Sequence, residues 1–157
     1  MDKIFSIASM IPVIDELVGQ GKSVEIMPHG ESMLPTIQPG DSVTVCSPKC
    51  GIKKYDVALY MRSDGSAILH RVCAVLSSGY VMAGDAQNYL EYPVKKEQIV
   101  AVVTKVVRDG KVIYEREKSN KFVLFFRDMR LWKAKFWLYV YPFYKKYIRK
   151  YIRRTKA

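Results

Sequence analysis

The sequence predicts a mainly β fold, a small coiled sheet or partly closed barrel, with a short helix before it and a basic amphipathic helical tail after it. Between residues 23 and 115, short β-prone runs alternate with clusters of Gly, Asp, Ser and Pro, the punctuation of meandering strands. Ser63-Asp64-Gly65-Ser66 and Asp109-Gly110 each lie between two such runs and read as hairpin turns. Charge separates the last part: residues 1–115 carry 12 Lys and Arg against 13 Asp and Glu, net −1, whereas residues 116–157 carry 14 against 2, net +12. The chain's net charge of +11 therefore belongs to its last quarter. A basic tail on a near-neutral domain reads as an attachment device, and the domain's own chemistry need not involve an acidic partner.

At 157 residues and 49% apolar content the chain suits one domain with appendages. We divide it into an N-terminal helix (1–22), a β domain (23–115) and the tail (116–157). In the first segment, Pro12 is followed by Val13, Ile14, Leu17 and Val18 at helical spacing, with Gly19 and Gly21 suited to end the helix. This amphipathic helix either packs on the β domain or lies on a membrane. The uncharged run Ile4–Ile14 is too short to span a bilayer, so no transmembrane anchor is expected there.

Strands are expected over Ser23–Met27, Ser42–Cys46, Asp56–Met61, Ala67–Leu76 and Tyr80–Gly84, and within Ile99–Tyr114, the last as a hairpin joining Val102–Val107 to Lys111–Tyr114. Alternation puts Ile68, His70 and Val72 on one face of their strand and Leu69, Arg71 and Cys73 on the other. The three cysteines are an odd number, so they read as free thiols. Cys46 and Cys50 have half the spacing of a zinc site, but only His29 and His70 are present to complete one. No metal or cofactor is expected.

The stretch that concentrates chemistry is His29-Gly30-Glu31-Ser32-Met33-Leu34-Pro35-Thr36-Ile37-Gln38-Pro39-Gly40-Asp41. Gly30, Pro35 and Pro39-Gly40 place Ser32 at a sharp exposed bend. A serine there needs a base and N–H groups for an oxyanion, and the backbone around Gly30 and Ser32 is the candidate donor. Glu31 and Asp41 read as turn residues, and Glu91 and Glu97 flank Pro93 in a polar loop, with a second structural carboxylate there as the lesser reading.

The Ser-Met-x-Pro turn with the following Pro-Gly-Asp and β-like run resembles the nucleophile box of the type I signal peptidases and of the self-cleaving repressors of the SOS response. The resemblance covers Val24 to Val103 and includes Tyr55-Asp56-Val57-Ala58-Leu59-Tyr60, Leu69-His70-Arg71-Val72 and Gly84-Asp85. It implies Ser32 as nucleophile, His70 as base in the manner of the endoplasmic-reticulum and archaeal members, and Asp85 as the acid that orients His70. Met33 and Pro35 are expected to touch substrate. The substrate so implied is an extended leader or signal segment of a peptide or protein, docked along a strand edge with small side chains near the cut. The chain departs from the family in the missing anchor and in Ala86, where the family commonly has Asn.

In the tail, Ser119-Asn120 reads as a helix N-cap, and Phe122, Phe125, Phe126, Met129, Trp132, Phe136 and Trp137 recur at helical spacing. Beyond Pro142, aromatic and basic residues fall on opposite faces. The longest uncharged run, Phe136–Tyr144, is nine residues, so the tail is expected to lie on an anionic membrane surface through residues 119–157 rather than cross it. A partner-protein groove and nucleic acid are the rivals, although no segment resembles a base-reading module. Together these expectations describe a serine endopeptidase in the cytoplasm, peripheral to the inner membrane face. The alternative is a non-catalytic binding module of the same fold, held to membrane or nucleic acid by its basic tail.

Overall fold

The computed structural model describes residues 7–118, so the tail expected over 116–157 lies almost wholly outside the described residues. The described chain is mainly β, as the turn spacing predicts. It comprises α1 (Ile7–Gly19), β1 (Val24–Ile26), β2 (Ser42–Cys46), β3 (Val57–Met61), β4 (Ala67–Leu76), β5 (Gly79–Ala83), β6 (Glu91–Val94), β7 (Ile99–Arg108) and β8 (Lys111–Glu115). All strands join one antiparallel sheet in the order β1-β2-β7-β3-β4-β5-β6, with β8 also paired to β7. The long strand β7 pairs with β3 through Ile99–Val102 and with β8 through Lys105–Arg108, so its two halves serve different neighbours.

Three expectations are refined. The helix begins before Pro12, which lies inside it. Its inward face is Ile7, Ile11, Ile14 and Val18, which meet Val43, Val45, Val103 and Val106 in the larger core. The apolar stripe is thus covered by the sheet, which favours the packing reading of the helix over the membrane-lying one. The second refinement is β6, read from sequence as a polar loop. Pro93 cannot donate to a ladder, and β6 tolerates it because, among the described residues, it is an edge strand bonded only to β5. The third is Gly30: it lies outside the left-handed region and an added Cβ would meet nothing within 4 Å. The bend at Ser32 therefore does not depend on a glycine at position 30.

The β7–β8 turn does depend on its residues, because Asp109 and Gly110 have φ of 49° and 74°, the pair of positive values a tight hairpin of this hand requires. On the other side of the sheet from the helix, Ala58, Tyr60, Val72, Met82 and Val94 form a second core, and His70 is buried on that same face. Among the described residues, no helix is long and apolar enough to cross a membrane.

Ile14 is 1% exposed at the centre of the helix–sheet contact. Ile14→Ala is expected to cost about 2–5 kcal/mol through lost transfer energy and the cavity left behind. Urea unfolding with an unchanged slope and a lowered midpoint is the expected readout.

Candidate active site

Strand β4 carries two buried cationic or potentially cationic side chains in succession, and alternation sends them to opposite faces. Each then meets a different carboxylate. Arg71, on the face of the larger core, donates from Nε to Asp85 Oδ1 at 2.8 Å and from Nη2 to Oδ2 at 2.6 Å. Its Nη1 bonds the Tyr55 carbonyl at 2.8 Å, and Thr36 Oγ1 donates to Asp85 at 2.5 Å. Thr36 lies four residues after Ser32, so the Arg71–Asp85 pair holds the serine turn as well as itself.

His70 faces the other way, at 1% exposure. Its Nδ1 is 3.1 Å from Tyr60 Oη and 3.1 Å from Glu91 Oε1. Tyr60 donates its own proton to Glu91 Oε2 at 2.8 Å, and Arg62 is bidentate to Glu91, with Nε to Oε2 at 2.8 Å and Nη2 on Oε1. The tautomer follows. An ionised carboxylate has no proton to give and the tyrosine proton is already committed, so the hydrogen at this junction belongs to Nδ1. Nε2 is then the unprotonated nitrogen, and it has no hydrogen-bond partner among the described residues.

The electrostatics agree with a neutral ring. Burial drives the His70 pKa down to about 4; the charges of Glu91 and Asp85 oppose this and that of Arg62 adds to it. Burial by itself would raise the Glu91 carboxyl, but the hydrogen bonds from Arg62 and Tyr60 outweigh it and leave the pKa lowered. Tyr60 is raised by burial and then by its bond to Glu91, so it remains a phenol.

These contacts correct the assignment of the orienting acid. Asp85, expected at His70, is bidentate to Arg71, and the carboxylate at Nδ1 is that of Glu91. The sequence signal for Glu91 is weak because it comes only from the alternation of an edge strand interrupted by proline. Its register partner Met82 on β5 places it beside β4.

Ser32 sits in a chain of tight turns, with Leu34 N–H bonded to the Glu31 carbonyl at 3.1 Å and Ile37 N–H to that of Met33 at 3.0 Å. The peptide bond Leu34–Pro35 is cis. The turn docks on the end of β5: the Ala86 N–H donates to the Ser32 carbonyl at 2.9 Å, and a Cβ on Gly84 would collide with that same oxygen. Gly84 follows Ala83, the register partner of Arg71, so the Ser32 turn lies against β4 at Arg71, with Met33 and Ile37 in the larger core, whereas His70 points to the opposite face and is not part of the cavity wall beside Ser32. No hydrogen bond joins Ser32 Oγ to His70 among the described residues. Asp41 caps its turn as expected, accepting from Gln38 N–H at 2.7 Å, and also pairs with Arg108.

A cavity of about 370 Å³ opens beside Ser32, with Ala8, Gly30, Met33, Leu59 and Ala67–Leu69 among its walls. Met33 lines it, whereas Pro35, the other expected substrate contact, is not part of the wall. Among the described residues, one side of β4 is unpaired here. Val72 donates to the Asp56 carbonyl and accepts from Tyr55 N–H, so by alternation Ile68 and His70 also bond toward β3. Ala67 and Leu69 then turn their N–H and C=O the other way, where β5 pairs only from Arg71 onward. Among the described residues, no group of three or more His, Cys, Asp or Glu is placed to hold a metal ion.

Because the folded pKa of His70 is lowered, the unfolded chain binds the extra proton between about pH 6.5 and 4, and stability falls as pH drops through that window. The loss should reach about 3 kcal/mol at pH 4 relative to pH 7. Urea midpoints over this range, compared with those of His70→Gln, check it: the variant should lose most of this pH dependence. Gly84→Ala should in addition displace the Ser32 turn, readable as lost protection of the Ala86 amide in hydrogen exchange.

Comparison of the chain with protein-family models, with curated proteins and with solved structures finds no match.

Proposed function

We propose that the chain is a serine endopeptidase of the signal-peptidase-like class, acting on a leader or signal segment of a peptide or protein. The observation that carries this reading is the state of His70: buried, neutral, with Nδ1–H held by Glu91 and Tyr60 and Nε2 left as an acceptor. Ser32 Oγ attacks the scissile carbonyl and gives its proton to Nε2; the imidazolium so formed is stabilised by Glu91, and His70 then protonates the leaving amine. Water repeats the sequence on the acyl-enzyme. The backbone around Gly30 and Ser32 receives the oxyanion. Arg71 and Asp85 act as positioning residues that hold the serine turn.

The substrate strand adds to the free edge of β4 at Ala67 and Leu69, and a side chain near the cut enters the cavity beside Ser32. The family resemblance implies small side chains at that point. A partly closed barrel is the finer description that this family assignment carries. The tail, residues 119–157, places the enzyme on the inner membrane face by lying on anionic lipid.

Two observations favour the rival reading of a non-catalytic binding module: no hydrogen bond joins Ser32 to His70 among the described residues, and the serine turn is held by Arg71 and Asp85 on the face of β4 opposite the one to which His70 points. Catalytic contacts are often long before substrate binds, and neither observation by itself decides between the two. A fluorophosphonate probe does. It is expected to label the protein at Ser32, with labelling abolished in Ser32→Ala and reduced by about 10²–10⁴ in His70→Ala. A chain that takes no label is a binding module.

The pH profile is the second test. Cleavage requires neutral His70, so the rate should rise through about pH 4 and be level by pH 6, below the ordinary imidazole value near 6.5. Glu91→Gln removes a charge that favours imidazolium and should move the midpoint lower; Arg62→Met removes one that opposes it and should move the midpoint higher. A profile still climbing above about pH 9 would assign the base to a lysine instead.

Removing residues 119–157 should release the protein from anionic vesicles without loss of labelling at Ser32. Salt should weaken binding of the full chain, because screened Coulomb attraction supplies much of it. Sedimentation of the shortened protein with vesicles to the same extent would assign attachment to the N-terminal segment.

A further inference from the structure

Away from the serine turn, the loop between β2 and β3 brings two thiols into contact. Cys46 ends β2, and Cys50 ends a single 3-10 turn, Pro48–Cys50, which Ser47 caps through its side chain. The two sulfurs are 3.9 Å apart. A disulfide needs about 2.05 Å, so a small closure of one surface turn would join them.

The two thiols are chemically unequal. Cys50 is exposed, and Arg116 Nη1 stands 2.8 Å from its sulfur while the same guanidinium holds Asp56 at 2.6–2.9 Å. The Arg116 N–H meets this sulfur from the protein side and the Ser47 carbonyl stands 3.1 Å from it, while the thiol remains open to solvent, so Cys50 is the accessible member of the pair. Cys46 is half-buried, and its thiol is raised by burial and by the neighbouring Cys50. The exposed member is therefore the attacking group and the half-buried member the resolving one.

Both thiols line an open cavity of about 1010 Å³ whose wall also carries Lys53, Lys54, Lys105 and Arg116. Against these four cations the wall carries three acids, Asp56, Glu115 and Glu117, so the lining holds one positive charge in excess. A cationic pocket around a thiol pair suits a small anionic molecule.

We propose that Cys46 and Cys50 form a thiol-exchange site for anionic low-molecular-weight disulfides of the glutathione kind. The Cys50 thiolate attacks one sulfur of the small disulfide, whose S–S bond breaks to release one thiol and leave a mixed disulfide on Cys50. Cys46 gives its proton to solvent and attacks the Cys50 sulfur, expelling the second small thiol. Two protein thiols are thereby oxidised to one disulfide, and one small disulfide is reduced to two thiols. The site is independent of the proposed peptidase chemistry.

The test treats the full-length protein with oxidised glutathione and follows intact mass and denatured thiol titration. The expected product has lost two hydrogens and shows one titratable thiol, Cys73, in place of the three free cysteines. Cys46→Ser should stop at a single glutathione adduct, and Cys50→Ser should give neither adduct nor disulfide. Persistence of all three thiols, an adduct-free Cys46→Ser protein, or a disulfide that includes Cys73 or a second chain would overturn the proposal.

Discussion

The buried ion pair between Arg71 and Asp85 is the constraint on which the candidate site depends. Both side chains are nearly inaccessible, with Arg71 at 4% and Asp85 at 5% exposure, and an unpaired charge at either position would be costly. Each remaining polar group is also engaged: Arg71 reaches the Tyr55 carbonyl, and Asp85 accepts from Thr36. Strand β4, the turn after β5 and the serine turn are thus tied together by one fixed geometry. Removing one partner would leave the other charged in a dry interior, at a cost of about 3–5 kcal/mol, and would free Ser32 from the strand that bears His70.

The same solution recurs at the margins of the sheet. Asp41 is bidentate to Arg108 and joins the end of the serine segment to β7, while Asp56 is bidentate to Arg116 and joins the start of β3 to the end of β8. These pairs have contact with water and contribute less than the buried one. Their effect is positional, because planar guanidinium and carboxylate groups fix direction as well as distance. The serine segment is held at Thr36 by one pair and at Asp41 by another, which restrains a stretch that has few ladder bonds of its own.

The opposite face of β4 solves a different problem. An imidazole taken out of water is pushed toward neutrality, and a neutral ring still needs a partner for its N–H. Glu91 and Tyr60 supply it, and Arg62 compensates the carboxylate. The result is a ring fixed in one tautomer by groups from β3, β4 and β6. A single residue step along β4 therefore separates a permanently charged clamp from a neutral acceptor.

Much of this was legible in the sequence, for local reasons. Period-two alternation assigned His70 and Arg71 to opposite faces, Asp-Gly pairs marked the hairpin turns, and the sulfur-to-sulfur neighbourhood of Cys46 and Cys50 follows from their short spacing. Strand β6 escaped because Pro93 breaks the local rule, and only an edge position with a single bonded neighbour makes a proline acceptable there. The identity of the acid at His70 also escaped. Asp85 and Glu91 both follow β5 within a few residues of each other, and nothing in composition or spacing separates them. The β5–β6 register settles it: Asp85 emerges beside Arg71, whereas Glu91 returns antiparallel opposite Met82, on the face that Tyr60 and His70 share. Local pattern and turn chemistry determined the strands and the residues able to do chemistry; long-range pairing, which brings together side chains 14 to 49 positions apart, decided which carboxylate meets which partner.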